Sequence, residues 1–300
     1  MRWATGASPP SWEPKLMRRG SAPDDGGQVL VVVPVHGHHA MTHDLLADLE
    51  READLVDVVV VDNGGDYPAR EDELVLRPGS NLGWAGGTNL GSREGVRPHH
   101  VGFVWLNNDT RLGPGFVAGL LRCWRSTGAG MVAPFYDCHW AHQRLKRPVP
   151  VEQYRPRAVH FRAPFLDGTC MFVPRSTVDA IGLLDEDTFA PIGWGADIDY
   201  SLRARAAGLH LLVTRLSYLH HEKSVTGRTV FEGGIEEYGE RGYPVLVEGL
   251  TRKWGDDWWA MAGMDSSWLE TKPLRRRDRF RSRRRAVTPP SASRSRSSRP

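Results

Sequence analysis

Cysteine and long apolar runs are both scarce in this chain of 300 residues. Its three cysteines, Cys123, Cys138 and Cys170, are widely spaced and include no Cys-x-x-Cys pair, so neither a disulfide framework nor a structural zinc site is indicated. No apolar run approaches the roughly 18 to 20 residues that span a bilayer. Residues 1–28 also lack the apolar centre of a signal peptide. We therefore expect a cytoplasmic protein with reduced thiols.

Acidic residues are nearly missing from the C-terminal end. The net charge of the chain is +3, but from Arg275 onward eleven arginines stand against the single Asp278, which gives this segment +10 and the rest of the chain −7. Residues 286–300 are rich in Ser, Arg and Pro and bury too little apolar surface to offset their ordering entropy, which predicts disorder. We expect a solvated tail, with a peripheral contact to anionic lipid at the inner face of the membrane as the alternative. No nucleic-acid partner is expected.

The apolar segments alternate between two periodicities. Residues 29–34 form an unbroken run of mostly β-branched residues closed by Pro34, which is typical of a strand buried on both faces. Residues 41–52 place leucines at helical spacing, and residues 56–61 form a second buried run. This alternation predicts an α/β fold with a mostly parallel central sheet flanked by helices.

Later segments continue the pattern less regularly. Further strands are predicted at residues 74–76, 101–105, 131–133, 169–173 and 209–213, and further helices at 114–124 and 176–181. Residues 135–163 have no clean periodicity, which indicates a long functional loop or an irregular insert.

Two acidic stretches carry the clearest chemical signal. Asp109 follows a predicted buried strand. Ligands of open α/β sheets bind at the carboxyl ends of the strands. A carboxylate at such an end can bind Mg²⁺ or Mn²⁺ that also contacts a phosphate of the ligand. Asp197 begins a helix-like stretch and could take a proton from an attacking hydroxyl, although it could also cap that helix. Asp199 lies two residues further and so does not share its helix face. Together these positions suggest group transfer from a phosphorylated donor.

Two further positions could complete such a site. Asp62 ends the second strand, where it could accept hydrogen bonds from a nucleoside, although Asp-Asn-Gly-Gly is also an ordinary turn. His220 lies beyond the last predicted strand and could complete the metal coordination, with the adjacent His221 as the alternative. Either histidine could instead be a surface residue without a function.

Residues 81–91 form a glycine-rich segment. Gly83, Gly86 and Gly87 do not reproduce the G-x-G-x-x-G spacing, so a NAD site is not indicated. Glycines that lead into a helix still let the backbone approach a nucleotide closely and offer N–H groups to anionic oxygens.

The order of these motifs resembles the family 2 inverting glycosyltransferases with a GT-A (Rossmann-like) fold, especially the rhamnosyltransferase-like and galactofuranosyltransferase-like branch. The resemblance covers most of residues 29–255. It rests on the strand before Pro34 and on Asp62-Asn63-Gly64, residues 81–91, Leu106-Asn107-Asn108-Asp109, Asp167-Gly168-Thr169, Asp197-Ile198-Asp199, His220 and Lys253-Trp254-Gly255.

The resemblance implies a function and a set of site residues. It implies that a sugar moves with inversion from a nucleotide-diphosphate sugar to a hydroxyl of a glycan, lipid-linked or small-molecule acceptor, in cell-wall or polysaccharide biosynthesis. Asp197 would be the base, and Asp109 and His220 would hold Mn²⁺ or Mg²⁺. Donor-binding positions would be Pro34, Asp62, Asn81, Gly83, Asn89, Asn108 and Asp109. Acceptor-binding positions would be Trp194, which could stack on a sugar face, and Gly195.

The resemblance also divides the chain into four parts. We expect a disordered leader over 1–28, a GT-A catalytic domain over 29–225, a helical extension packed on it over 226–272 and a disordered basic tail over 273–300.

Two positions depart from the family pattern and leave other functions open. Asn107 stands where the first acid of the family's D-x-D element would be, and Ala196 stands where a Glu usually precedes the base. An inactive glycosyltransferase-like binding protein is therefore an alternative. A glycoside hydrolase is a weaker one, because it needs two acids about 5 to 10 Å apart and no metal.

Overall fold

The structure is a computed structural model, and it describes residues 27–138, 140–222, 225 and 232–264. Nearly all of the predicted leader over 1–28 and all of the predicted tail over 273–300 lie outside these residues. Among the helices of the described part, none is both long and apolar enough to cross a membrane.

The first part of the chain alternates strands and helices. In chain order its elements are β1 (Gln28–Val35), α1 (His39–Glu50), β2 (Val56–Asp62), β3 (Leu74–Leu76), α2 (Gly83–Gly95) and β4 (His100–Leu106). β1 pairs in parallel with both β2 and β4, and β2 pairs in parallel with β3. The strand and helix order predicted from the apolar runs is confirmed here.

The second part adds antiparallel neighbours. Its elements are β5 (Thr110–Leu112), α3 (Phe116–Thr127), β6 (Met131–Tyr136), β7 (His160–Arg162), β8 (Cys170–Pro174), α4 (Arg175–Ile181), α5 (Ala196–Ala206), β9 (Leu211–His221), α6 (Gly234–Trp254) and α7 (Trp258–Met261). β8 lies between β4 and β6 and runs antiparallel to both. β9 pairs in parallel with β6 and antiparallel with β5 and β7.

Within the described residues, nine strands form one mixed sheet in the order β3-β2-β1-β4-β8-β6-β9-β5, with β7 also paired to β9. The expected α/β class is confirmed. Strands β3, β2, β1, β4, β6 and β9 run in one direction, and β8, β5 and β7 run in the opposite direction.

Both faces of the sheet are buried. Along β1, Leu30 and Val32 belong to one apolar cluster, while Val29, Val31 and Val33 belong to the other. Successive side chains of a strand point to opposite faces, so burial on both faces explains the unbroken apolar run. Helices α2, α5 and α6 cover the first cluster, and α1 and α3 cover the second.

Strand β9 is longer than predicted. The sequence predicted a strand over 209–213, whereas β9 continues to His221. Thr214 and Ser217 are fully buried within it, and their hydroxyls bond to the His160 ring at 2.8 Å and to the Phe116 carbonyl at 2.7 Å. These satisfied polar residues interrupt the apolar pattern, so the predicted end of the strand is wrong.

Candidate active site

A cavity of about 1130 Å³ opens at the carboxyl ends of β1 and β4. Pro34 near the end of β1 lines it, together with Asn107, Asn108 and Asp109 directly after β4. The start of α5 and one side of α6 form further walls. The volume is slightly above the roughly 300 to 1,000 Å³ that is typical of small-molecule sites.

Most of the predicted site residues meet in this cavity. The eight that line it are Pro34, Asn81, Gly83, Asn108, Asp109, Trp194, Gly195 and Asp197. Three predicted positions, Asp62, Asn89 and His220, are not among its lining residues. The structure therefore brings the two acidic stretches of the sequence into one site.

Asp62 is buried at the end of β2 and shapes the turn that follows. Its carboxylate accepts hydrogen bonds from the N–H groups of Gly65 at 2.7 Å and Tyr67 at 3.0 Å, and it pairs with Arg77 at 3.2 Å. The next residue, Asn63, lines the cavity instead. The Asn63 amide also donates to the carbonyl of the first residue of α2 at 3.1 Å, which fixes the start of that helix.

Asn89 connects α2 to the loop before α5. Its amide nitrogen donates to the Leu184 carbonyl and to the Glu186 carboxylate, both at 2.9 Å, and its oxygen accepts from the Leu184 N–H at 3.1 Å. Every one of these bonds is internal to the protein, so Asn89 holds α2 against the loop before α5.

Asp109 faces His221 rather than His220. The Nε2 atom of His221 lies 3.3 Å from Oδ1 of Asp109, and both side chains are more than nine-tenths buried. His220 points to the other side of β9, where its ring contacts Asp137 and Glu222 and is 43% exposed. Neighbouring residues of a strand face opposite ways, which explains the difference.

The second ring nitrogen of His221 is also held in place. Its Nδ1 atom lies 3.6 Å from the sulfur of Cys138 and 3.4 Å from the hydroxyl of Thr169. Burial lowers the pKa of His221, but its hydrogen bonds to Asp109 and Cys138 outweigh burial and raise that pKa to about 10. The ring orientation is therefore fixed from both sides.

Asn107 offers an unused acceptor in the cavity. Its Oδ1 atom is buried and has no hydrogen-bond partner among the described residues, although Asn107 lines the cavity. A buried polar atom without a partner costs about 1 to 3 kcal/mol, which makes this oxygen available to a ligand.

Asp197 lies at the start of α5 and is a half-buried part of the cavity lining. Its carboxylate accepts hydrogen bonds from the N–H groups of Gly168 and Ile198, both at 2.9 Å. Burial, followed by the nearby charge of Asp167, raises the pKa of Asp197 to about 7. A carboxylate with a pKa near neutrality can accept a proton efficiently at physiological pH.

The charge of the cavity is one-sided. Four carboxylates line it, those of Asp109, Asp167, Asp197 and Asp256, whereas no Lys or Arg does so among the described residues. The His221 imidazole, whose pKa is raised to about 10, offsets part of this charge, and a bound cation would further reduce the repulsion of an anionic ligand.

Two glycines are required by the backbone beside the cavity. Gly83 has φ +68°, and a Cβ atom there would lie 2.1 Å from the Pro191 carbonyl oxygen. Gly195 has φ +94°, and a Cβ atom there would lie 2.8 Å from the ring of Phe189. Gly195 thus turns the chain tightly into α5 and places Asp197.

A buried charge network holds α6 against α5. Asp199 is fully buried and accepts hydrogen bonds from Arg203 and from the Trp254 indole, both at 2.9 Å. Lys253 lies 2.9 Å from Asp199 and 2.6 Å from Asp185. This network fixes the cavity wall formed by α6 relative to the helix that carries Asp197.

Sequence reasoning missed several lining residues. Asp167 stood in a recognised motif without an assigned role, yet it lines the cavity and acts on Asp197. The α6 residues Tyr238, Leu246 and Val247 also line it. The sequence contains only a weak indication that α6 lines the cavity, because the lining residues are spread along a polar helix that contains glycine. The predicted long loop over 135–163 contributes Trp140 among its described residues.

A second cluster lies at the opposite, amino-terminal ends of the strands. Asp57 accepts from the Nε2 atoms of His99 at 2.8 Å and His100 at 2.9 Å, and these atoms are close enough to hold a metal ion. The N–H of Arg97 donates to Nδ1 of His100 at 2.9 Å, which places the ring proton on Nε2, toward Asp57. That proton makes a hydrogen bond to the Asp57 carboxylate, and a metal ion bound there would have to displace it.

Comparison with known proteins identifies close relatives in sequence. No protein-family model matches the chain. "Uncharacterized protein Mb1552" of Mycobacterium bovis and "Uncharacterized protein Rv1525" of Mycobacterium tuberculosis are each 40% identical to it over 236 residues. Each match covers 79% of this chain and 88% of the relative.

Solved structures establish the fold type. GalNAc-T7 with UDP, GalNAc and Mn²⁺ aligns with a TM-score of 0.54 at 15% identity over 79% of this chain, which spans about half (51%) of that protein. The mannosyltransferase PcManGT from Pyrobaculum calidifontis, in complex with GDP-Man and Mn²⁺, aligns with a TM-score of 0.53 at 16% identity over 83% of this chain and 72% of that one. The chain therefore belongs to the family of the mycobacterial proteins Mb1552 and Rv1525, and it has the GT-A fold of the glycosyltransferases.

Proposed function

We propose that this protein is an inverting glycosyltransferase that moves a sugar from a nucleotide-diphosphate sugar to an acceptor hydroxyl with the help of a divalent metal. The main support for the proposal is that one cavity contains both a buried Asp109–His221 pair and a separate carboxylate, Asp197, whose pKa is raised. GT-A structures with similar folds carry nucleotides or nucleotide sugars with Mn²⁺, which supports the donor class.

The cavity residues fit a divalent metal. A diphosphate carries negative charge into a cavity that holds four carboxylates and, in its described part, lacks Lys and Arg. The His221 imidazole offsets only part of this charge, which favours a bound cation. Asp109 and His221 offer an oxygen and a nitrogen 3.3 Å apart, and Asn107 offers an unpaired oxygen in the same cavity. When bound, the metal would neutralise the charge that develops on the departing diphosphate.

His221 replaces His220 in the proposed metal site. His221 is buried against Asp109, while His220 lies on the other side of the strand. Cys138 and Thr169 hold the second nitrogen of His221, as outer partners of ligating histidines commonly do. Because Mg²⁺ is bound mainly through oxygens, a histidine ligand favours Mn²⁺ over Mg²⁺.

The donor would lie along the strand ends. Pro34, Asn81, Gly83 and Asn108 line that side of the cavity and would contact the nucleotide and the diphosphate. Asp62 and Asn89 would act indirectly, by fixing the turn after β2 and the position of α2. The required glycine at position 83 would let the backbone approach the donor closely.

Asp197 would be the general base. Its carboxylate takes the proton from the acceptor hydroxyl while the acceptor oxygen forms a bond to the anomeric carbon and the bond from that carbon to the diphosphate breaks. A single displacement inverts the configuration. The two backbone hydrogen bonds from Gly168 and Ile198 hold the carboxylate in position, and Trp194 and Gly195 would form the adjoining acceptor wall.

A donor-panel assay tests the proposal. Wild-type protein is incubated with Mn²⁺, a panel of UDP-, GDP- and dTDP-sugars and a panel of hydroxyl acceptors, and released nucleoside diphosphate is measured. We expect turnover with at least one donor, loss of turnover on chelation, and a fall of about 100- to 10,000-fold in Asp197→Asn. Asp187→Asn, which changes an exposed carboxylate outside the cavity, is the matched control. Near-normal turnover in Asp197→Asn would refute its role.

A further inference from the structure

One carboxylate of the cavity has an oxygen that no protein group uses. Asp167 lines the cavity and is only 9% exposed. Its Oδ1 atom accepts a hydrogen bond from the N–H of Thr169 at 2.9 Å, whereas its Oδ2 atom has neither a hydrogen bond nor an ion pair among the described residues. Buried carboxylates are normally paired or hydrogen-bonded on both oxygens. The Oδ2 atom of Asp167 is therefore available to a ligand of the cavity.

Asp167 lies beside the proposed base. The N–H of Gly168 donates to Oδ2 of Asp197 at 2.9 Å, and the next N–H along the chain, that of Thr169, donates to Asp167. Two consecutive N–H groups thus hold the two carboxylates at one point of the cavity. Burial is the main reason why the pKa of Asp197 is raised, and the charge of Asp167 is the second, which agrees with this proximity.

An aromatic ring lies at the same point. Trp84 lines the cavity, and its Cζ2 and Cη2 atoms lie 3.0 Å from the position that a Cβ atom on Gly168 would take. The Cβ atom of Asp197 lies 3.3 Å from that position. Because Gly168 has no side chain, the Trp84 ring and the carboxylate of Asp197 can both approach it closely. An apolar ring next to two carboxylates suits a sugar, which has both C–H surface and hydroxyl donors.

The unused oxygen of Asp167 selects for a hydrogen-bond donor. An ionised carboxylate only accepts hydrogen bonds, so an anionic group of a ligand would be repelled there. In the proposed reaction Asp197 takes the proton of the attacking hydroxyl. On a sugar ring the nearest further donor is the hydroxyl of the adjacent carbon, and the nearest further carboxylate is that of Asp167.

We propose that Asp167 determines acceptor specificity, and that its Oδ2 atom accepts a hydrogen bond from a second hydroxyl of the acceptor, on the carbon next to the one whose hydroxyl reaches Asp197. The acceptor is then a sugar with two free hydroxyls on adjacent carbons. This inference rests on the proposed function of the cavity and names its acceptor class. No bond forms or breaks at Asp167, which binds and orients the acceptor.

Binding of monodeoxy sugars tests the inference. Methyl glucoside, galactoside, mannoside and rhamnoside are titrated calorimetrically into the full chain without donor, and the glycoside that binds most tightly is then replaced by its monodeoxy forms. We expect two of these forms, which lack hydroxyls on adjacent carbons, to bind at least about tenfold more weakly, because each loses a hydrogen bond to a carboxylate.

Variants then assign one of the two hydroxyls to Asp167. In Asp167→Ala, one of the two deoxy forms should bind as well as its parent glycoside, since the missing hydroxyl no longer has an acceptor, and the other form should keep its loss. Asp167→Asn retains a side-chain oxygen and should give an intermediate effect. Asp256→Asn removes a cavity carboxylate between α6 and α7 and should leave both losses in place. Thermal unfolding checks that the variants fold.

Each outcome decides the inference separately from the proposed function. Failure of all four glycosides to bind, or an unchanged dependence on both hydroxyls in Asp167→Ala, would overturn it even if sugar transfer to other acceptors is found. Titration of Mn²⁺ alone is the second arm. Loss of Mn²⁺ binding in Asp167→Ala without any hydroxyl dependence would assign Asp167 to a metal and would also overturn it. Hydroxyl dependence without turnover of any nucleotide sugar would support the sugar contact of Asp167 and refute the transfer.

Discussion

His221 and Asp109 face each other across neighbouring strands, with Nε2 and Oδ1 3.3 Å apart. The backbone sets this relationship, because β5 begins directly after Asp109 and pairs antiparallel with β9 so that Thr110 lies opposite His221. The backbone N–H of Glu222 also donates to the Asp109 carbonyl at 2.9 Å. Two segments more than one hundred residues apart in sequence are thus fixed in register at the proposed metal site.

The two adjacent histidines should respond differently to substitution. We expect His221→Ala to weaken Mn²⁺-dependent donor binding by about 10- to 100-fold or more, because it removes a proposed ligand. His220→Ala should stay close to wild type, since its ring contacts Asp137 and Glu222 near the surface. Calorimetric titration with donor, with and without Mn²⁺, measures the donor affinity of both variants. A larger loss in His220→Ala than in His221→Ala would refute the assignment.

The rate of transfer should depend on the ionisation of Asp197. The pKa of Asp197 is raised to about 7 by burial and by the charge of Asp167, and only the carboxylate form can accept a proton. We therefore expect kcat to increase as the pH rises through about 7 and to level off above it. A pH series of initial rates at saturating donor checks this. A rate that falls over the same range would contradict the role of Asp197.

The network around Asp199 should contribute strongly to stability. Asp199→Ala leaves the Arg203 guanidinium and the Trp254 indole without their buried acceptor, so we expect a loss of about 3 kcal/mol in the free energy of unfolding. Urea unfolding measures it. The exposed Asp187→Ala should change stability by less than about 0.5 kcal/mol. A similarly small effect of Asp199→Ala would show that the network does not hold α6 in place.

The turn into α5 should not tolerate a side chain at Gly195. In Gly195→Ala the new Cβ would meet the Phe189 ring in a backbone with φ +94°, so we expect a loss of about 1 to 3 kcal/mol. Gly37→Ala also places a Cβ at positive φ, +69°, but in open space, so it isolates the effect of the contact. Thermal unfolding of both variants compares them. Equal losses would mean that the Phe189 contact adds nothing.

The sequence predicted the class of the fold because strands buried on both faces leave unbroken β-branched runs, as at residues 29–34. It also placed Asp109 after a strand and Asp197 at a helix start, where the structure has them, because both positions follow from local patterns. The choice between His220 and His221 depends on the register of β9, and the buried Thr214 and Ser217 hid the continuation of that strand. The cavity wall formed by α6 and α7 could not be predicted, because it arises from the tertiary packing of these helices.

The anomeric configuration of the product tests the central proposal most directly. Once an active donor is known, the transferred sugar is analysed by proton NMR before the product can equilibrate. We predict a configuration opposite to that of the donor, formed only with metal and lost in Asp197→Asn. A product that retains the donor configuration, or no product from any nucleotide sugar in the presence of Mn²⁺ and Mg²⁺, would contradict an inverting transfer with Asp197 as base.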